Sequence, residues 1–274
     1  MPSLSEALPS FAAVIVTGGS SGIGKSFIRL IGSLAGGPVI CNLSRRSPEK
    51  NLFPDAEKKL NHFSCDLAQA AEITRAAEAV RQCVERTAPP GRVLLINNSG
   101  IGAFGAFAAR DVERQLAMVD VNVRAIVQLT GLLLPLLHAR GGAIMNVAST
   151  VAFQPAPFAA TYGASKAFVL HWTIALDHEL RGSGVRAIAV CPGTTQTDFF
   201  QTAGLAPGVE NQVGAMSADA VVAAAFRALA AGRSQVVPGW FNKAYTFAAS
   251  KLPKPVAAGL AAKVLRRRSG EARV

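Results

Sequence analysis

Runs of apolar, β-branched residues alternate with segments of helical periodicity along almost all of this chain. Residues 12–17 (Ala-Ala-Val-Ile-Val-Thr) form the first predicted strand. Residues 22–34 follow with Ile23, Phe27, Leu30 and Leu34 on one side of a helix. Further strands are predicted at 39–43, 61–65, 92–97, 143–148 and 185–190, with a short seventh at 235–237. Helical patterns over 112–138, 161–181 and 218–231 separate the later strands. Strands that are apolar on both faces, each followed by a helix, require a parallel sheet covered on both sides. With right-handed crossovers the expected fold is α/β: a doubly wound (Rossmann) parallel sheet of about seven strands in a single domain. One crossover departs from the pattern. Residues 44–60 contain Pro48 and Pro54, and only 55–60 suit a helix, so a short or irregular link is expected there.

No repeat or low-complexity linker interrupts the pattern, and no boundary is placed before about residue 238. Residues 1–238 are expected to form the α/β domain. Residues 239–274 would be a basic, partly helical C-terminal extension, in which Pro253 and Pro255 precede a pattern over 256–268 with Val256, Leu260 and Val264 in line.

Composition narrows the class. Half of the 274 residues are apolar and 16% are charged, enough for a sizeable core and unlike a disordered chain. No uninterrupted apolar run reaches the eighteen or so residues of a membrane span. The longest, 125–137, is broken by Gln128, Thr130, Gly131 and Pro135 and reads as a buried helix. Residues 1–10 lack a basic segment ahead of an apolar one, so no secretory signal is expected. Cys41, Cys65, Cys83 and Cys191 form no Cys-x-x-Cys pair and have no histidine cluster beside them. The expectation is no metal site, no disulfide framework, and reduced thiols in a cytoplasmic protein. The net charge of +11 is uneven. From Trp240 onward eight basic residues face one acid, Glu271, so seven of the eleven charges belong to the tail. Such a tail could touch an anionic membrane surface weakly, solubilise the chain or cover a substrate pocket. No basic, aromatic-bearing face accompanies it, so nucleic acid is not an expected partner.

The chemistry concentrates in three places. Thr17-Gly-Gly-Ser-Ser-Gly-Ile-Gly24 lies where the first strand meets the first helix. A glycine-rich turn there lets backbone N–H groups and the helix dipole hold a pyrophosphate. Gly18, Ser20, Ser21, Gly22, Ile23 and Gly24 are the residues concerned. Strand two ends in Asn42-Leu-Ser44-Arg45-Arg46, with no acid to accept a ribose 2′-hydroxyl. A hydroxyl and two guanidiniums suit a 2′-phosphate instead, which favours NADP(H) over NAD. Third, Tyr162-Gly-Ala-Ser-Lys166 opens a helix with Tyr162 and Lys166 on one face. A tyrosine pKa near ~10 is too high for acid–base work at neutral pH, and a neighbouring ammonium lowers it. Ser149, closing strand five, can hydrogen-bond a carbonyl oxygen, and Asn122 lies within the long preceding helix.

These pieces, together with Asp66-Leu67, Asn97-Asn-Ser-Gly100 and Pro192-Gly193 with Thr197, stand in the order and at the spacings of the short-chain dehydrogenase/reductase family. The chain resembles its main type of approximately 250 residues over about residues 10–240. The resemblance implies roles. Tyr162 would be the acid/base and Lys166 would bind the nicotinamide ribose and lower the tyrosine pKa. Ser149 would orient the carbonyl, and Asn122 would hold a water linking Lys166 to solvent. Asp66 and Leu67 would contact adenine, Asn98, Ser99 and Gly100 would pack beside the ribose, and Pro192, Gly193, Thr195 and Thr197 would hold the carboxamide. The chain would then reduce a carbonyl with NADPH as hydride donor or, in the reverse direction, oxidise a secondary alcohol with NADP+ as hydride acceptor. The other reading is a non-catalytic NADP(H)-binding scaffold or redox sensor, which usually lacks the tyrosine, lysine or serine that are all present here. Segments 149–161 and 194–216 would face substrate. Val151, Phe153, Pro155, Pro157, Phe158, Phe199, Phe200 and Leu205 there suggest a hydrophobic carbonyl or alcohol. Family members commonly pair the two long helices between subunits, so a homodimer or homotetramer is expected.

Overall fold

In the computed structural model, residues 11–268 are described except 35, 50, 110, 206 and 207, and the side chains of Arg267 and Arg268. The expectation for residues 1–10, and Glu271 and Arg273 of the charged tail, lie outside the described residues. Six long strands carry the frame: β1 (Phe11–Thr17), β2 (Val39–Ser44), β3 (Leu60–Ser64), β4 (Arg92–Asn97), β5 (Gly142–Val147) and β6 (Val185–Val190). Two short strands follow, β7 (Thr195–Gln196) and β8 (Met216–Ser217), and pair with each other. The last strand, β9 (Gln235–Val236), joins the main sheet. The main sheet is parallel throughout, in the order β3-β2-β1-β4-β5-β6-β9. The expected doubly wound sheet of seven strands is therefore present, with strand ends within one residue of those read from the pattern.

The helices are α1 (Gly22–Gly32), α2 (Ala56–Lys59), α3 (Ala70–Thr87), α4 (Val112–Val119), α5 (Ala125–Arg140), α6 (Ala160–Glu179), α7 (Phe199–Thr202), α8 (Ala218–Ala230), α9 (Trp240–Lys251) and α10 (Lys254–Arg268). Successive strand side chains point to opposite faces, so one sheet feeds two cores. Val14, Val16, Leu94, Ile96 and Met145 pack against Phe27, Ile28 and Ile31 of α1 and Val221, Val222 and Phe226 of α8. Phe27 and Phe226 meet edge to face at 5.6 Å between ring centroids. Ile15, Cys41, Leu95 and Ile144 pack on the other side against Ile73 and Val80 of α3 and Leu129 and Leu133 of α5. β1 is buried at all seven positions because both of its faces are covered.

Three features differ from the sequence reading, and a fourth, the irregular crossover, agrees with it. Helix α3 was not singled out. Its buried positions Ile73, Ala76, Ala77, Val80 and Val84 fall at helical spacing, so the periodic signal is present in the sequence although all five are small or β-branched. The crossover after β2 contains only the four-residue α2, as Pro48 and Pro54 suggested. The helix expected over 112–138 is interrupted by a π turn at Asp120–Arg124, which carries Asn122. Finally, the tail is helical from Trp240, not only from 256, and it packs into the body: Asn242 and Thr246 of α9 and Ala257, Ala261 and Leu265 of α10 are buried. The segment Val112–Arg140 has the length and apolarity of a membrane span. Its buried stripe of Ile126, Leu129, Leu133, Leu136 and Leu137 explains that composition as helix-on-sheet packing.

Asp177 is a charged group held inside the fold. Asp177 of α6 accepts from Arg186 Nε and Nη2 (2.8 and 3.1 Å) and from the Ala187 N–H (2.9 Å), joining α6 to β6. Burial alone would raise its pKa, but the Arg186 guanidinium and the Ala187 N–H outweigh that and hold it below the usual carboxylate range. Its contribution to stability is therefore complete above the ordinary value of 3.8 and is lost as the pH falls below it. Asp177→Asn is expected to cost roughly 2 kcal/mol at neutral pH, a Tm drop of about 5 °C for a chain of this size. The gap between the melts of the two proteins should begin to narrow only as the pH falls below about 4, and should close as it passes the lowered value of the folded carboxyl. A gap as wide at pH 3 as at pH 7 would refute this account.

Candidate active site

The carboxyl ends of parallel strands collect on one edge of the sheet, and there the site is built. The Thr17 hydroxyl, at the end of β1, accepts from the backbone N–H groups of Asn98 and Ser99, both at 3.0 Å. Asn98 Nδ2 donates back to the carbonyls of Thr17 (2.9 Å) and Gly18 (3.3 Å). The loop after β1 is thus sewn to the loop after β4. Gly18 and Gly22 have φ of +70° and +54°, where a side chain would be strained. A Cβ on Gly24 would lie 2.2 Å from the Gly18 carbonyl oxygen, so that residue permits the turn rather than facing the site. Asn42, fully buried on β2, accepts the Gly19 N–H through Oδ1 at 2.8 Å. Its Nδ2 donates to Ser44 Oγ (2.8 Å) and to His62 Nδ1 (2.9 Å), and burial keeps the His62 pKa below its usual value. The first turn of α1 contains no acid, and the side chain of its N-cap, Ser21, makes no capping bond. A turn shaped in this way presents backbone N–H groups and the positive end of a helix to an anion.

A cavity of about 880 Å³ runs along this edge. Ser44, Arg45 and Arg46 after β2 line it, as do Asp66 and Leu67 after β3. Gly18, Ser20, Ser21, Gly22 and Ile23 line its floor beside Asn98, Ser99 and Gly100. Ser149, Tyr162, Lys166, Pro192, Gly193, Thr195 and Thr197 line the remainder. Of the catalytic and cofactor-binding residues expected from sequence, only Gly24 and Asn122 stand behind this surface. The Ser44 hydroxyl donates to the Arg46 carbonyl at 2.7 Å, so it shapes the turn that carries the two arginines.

Tyr162 and Lys166 sit one turn apart near the start of α6, both buried. Lys166 Nζ donates to the Val147 carbonyl, the last of β5, at 2.8 Å and lies 5.9 Å from the tyrosine ring centroid. Ser149 follows two residues after that strand, and its Oγ also caps the turn at Val151 N (3.3 Å). Asn122 is wholly buried. Its Oδ1 accepts from Ile101 N (2.9 Å), and its Nδ2 donates to Ile101 O and Ser165 Oγ (both 3.0 Å). Ser165 in turn donates to the Tyr162 carbonyl at 2.7 Å. The π turn brings the Asn122 amide inward to clamp α6 and the loop after β4 together. A lowered tyrosine pKa was expected, and the geometry corrects this. Burial pushes the phenol up to about 12, offset in part by a hydrogen bond with Ser149. Burial also brings the Lys166 ammonium down to about 8. Desolvation penalises both charged forms, and the ammonium points at a strand carbonyl rather than at the phenol oxygen.

Tyr162 is flanked by Phe104 and Phe199, with ring centroids 5.5 and 5.6 Å away, and Phe200 packs edge-on against Phe199. Val151, Phe200, Leu205 and Leu265 continue the wall. Phe199, Phe200, Leu205 and Val151 were expected here, whereas Phe153, Pro155 and Pro157 do not line the cavity. Phe158 packs in the same cluster with φ of +64°, beneath the Arg266 guanidinium at 5.0 Å. Three contributors escaped the sequence reading. Asn42 holds the Gly19 N–H through a contact that no motif spacing marks, whereas Thr17 opens the glycine motif itself. Phe104 and Leu265 reach the tyrosine from segments 58 residues before it and 103 residues after it in the sequence. A rule that polar residues buried beside a glycine turn hold that turn could have found Asn42.

Comparison with known proteins agrees with this construction. The family model described as short chain dehydrogenase matches residues 12–207. A short chain dehydrogenase of Pseudocercospora fijiensis is 34% identical, over 68% of this chain and 60% of that one. The ketoacyl reductase HetN of a Nostoc species is 32% identical, over 67% and 62%. The chain thus aligns with about three fifths of the length of these two relatives. Among solved structures, a short-chain dehydrogenase from Sphingobium yanoikuyae in complex with NADPH superposes with a TM-score of 0.71 at 26% identity, covering 88% of this chain and 96% of that one. The sheet order, the glycine turn, the Tyr162–Lys166 helix and the family match agree: this chain belongs to the short-chain dehydrogenase/reductase family of oxidoreductases.

Proposed function

We propose that this protein is an NADPH-dependent reductase of a carbonyl group on a hydrophobic small molecule, with Tyr162 as the proton donor. One observation carries the reading. A buried phenol beside Ser149 lies in an aromatic-walled cavity that is continuous with the glycine turn. The residues fit a dinucleotide: side chains at Gly18, Gly22 and Gly24 would be strained or blocked, and the turn offers N–H groups where a pyrophosphate would approach. When bound, NADPH supplies the hydride. The chain's own residues do the rest. Burial keeps Tyr162 protonated at neutral pH, the state required to give a proton to a developing alkoxide. Ser149 Oγ offers a second hydrogen bond to the same oxygen. Lys166, ammonium at neutral pH, is placed to hold a ribose hydroxyl, and Asn122 positions α6 through Ser165. The aromatic wall excludes water and favours apolar substituents.

The preference for NADP(H) rests on the end of β2, where no acid occurs and both Arg45 and Arg46 line the cavity, exposed. The complex of the Sphingobium neighbour with NADPH supports it, and the name of the Nostoc relative supports a keto group as the reacting centre. Val112, Leu116 and Val119 on α4 and Phe168 on α6 leave exposed apolar surface, which fits a homo-oligomer.

Tyr162→Phe is expected to reduce kcat at least ~10³-fold while the NADPH Kd, followed by fluorescence titration, moves little. Turnover near wild type would end the assignment. Arg45→Ala with Arg46→Ala is expected to weaken NADPH by about tenfold or more and leave NADH binding within about twofold. Equal losses for both dinucleotides would remove the 2′-phosphate argument. Gly24→Ala, whose Cβ meets the Gly18 carbonyl, should lower affinity for either dinucleotide by at least about tenfold. Gly131→Ala, whose Cβ meets nothing within 4 Å inside a helix, should leave binding intact and raise Tm by about 2 °C or more.

A further inference from the structure

Helix α10 has two apolar stripes. Ala257, Ala261 and Leu265, four residues apart, are buried toward the cluster that holds Tyr162 and Phe104. One position earlier in each turn, Val256, Leu260 and Val264 are half exposed. In α9 the buried positions are Asn242, Thr246 and Ala249, and large aromatic groups face outward instead: Trp240 is 81% exposed and Phe247 67%. Only Leu252 and Pro253 separate the two helices. A solvent-facing surface of this kind is unusual for a soluble helix pair, and its charge is one-sided. No acidic residue occurs between Trp240 and Arg268, whereas Lys243, Lys251, Lys254 and Lys263 are all exposed among the apolar groups. Lys251 Nζ lies 5.6 Å from the Phe247 ring centroid.

From this arrangement we infer that the outer face of α9 and α10 docks on an anionic lipid bilayer. Aliphatic and aromatic side chains would enter the boundary between headgroups and acyl chains, and the lysines would meet the lipid phosphates. The charge selects this occupant. A second copy of the chain would set one lysine-rich face against another, at a repulsive cost, whereas an anionic bilayer complements it. Because Leu265 lines the cavity from the inner side of the same helix, docking would bring the substrate wall close to a lipid phase. This inference concerns binding and holds whether or not the protein reduces a carbonyl.

The test is co-sedimentation of the full chain with vesicles at low salt, using phosphatidylcholine alone or with about 30% phosphatidylglycerol. At least about tenfold more protein should pellet with the anionic vesicles, and most of that gain should vanish in ~0.5 M NaCl. In a Trp172→Phe background, where Trp240 is the only tryptophan left of two, emission should shift to the blue on anionic vesicles alone. Val256→Asp, Leu260→Asp and Val264→Asp together should abolish pelleting, with an unchanged melt confirming the fold. Should that variant unfold, Lys243→Glu with Lys263→Glu, both at exposed positions, must abolish it. Equal pelleting with both vesicle types, no pelleting, or variants that bind like wild type would each overturn the inference. So would wild type that ignores vesicles but changes oligomeric size when the stripe is made acidic, since a second copy would then be the occupant.

Discussion

A buried ammonium is the constraint around which this site is arranged. Lys166 is 3% exposed, and taking such a charge out of water costs several kcal/mol unless polar groups surround it. The Val147 carbonyl supplies one acceptor, which requires β5 to end where it does. A Cβ on Gly100 would lie 3.1 Å from Nζ and 3.4 Å from Asn122 Oδ1, so a side chain there would press on both groups. Asn122 can reach that loop because a π turn opens the long helix at this point. Strand end, glycine loop and π turn therefore meet around one nitrogen. Tyr162, one helical turn earlier, inherits a fixed place beside it.

The same burial sets the chemistry of the tyrosine. Phe104 and Phe199 shield the phenol, and burial disfavours its ionised form more than the hydrogen bond with Ser149 favours it. A site arranged this way keeps the phenol protonated at neutral pH and screens it from water. The protonation state of the tyrosine and the apolarity of the cavity around it thus share one cause, the aromatic wall. Asn42 plays the corresponding part at the opposite end of the cavity: a fully buried amide whose hydrogen bonds tie the glycine turn to β2 and to His62.

The C-terminal helices connect that wall to the outside. α10 contributes Leu265 inward and Val256, Leu260 and Val264 outward, and Arg266 lies over the Phe158 ring. Residues that composition alone marked as a charged tail are part of the pocket. The tail's basic excess and the pocket's apolar lining are then two sides of one element.

Much of the molecule was legible in the sequence because its signals are local. Strand burial on two faces writes continuous apolar runs, and the glycine turn and the Tyr162–Lys166 pair need only neighbours in the chain. The order of motifs identified the family, and the missing acid after Leu43 pointed to a phosphate-bearing cofactor. What only the tertiary structure decided depends on contacts between distant segments. The π turn at Asn122 follows from Ile101 and Ser165, the clamp on Gly19 from Asn42, and the closure of the pocket from Phe104 and Leu265. The direction of the tyrosine's pKa belongs with these. Spacing along a helix shows that an ammonium is near, but desolvation depends on everything packed around the phenol, and that packing is a property of the folded chain.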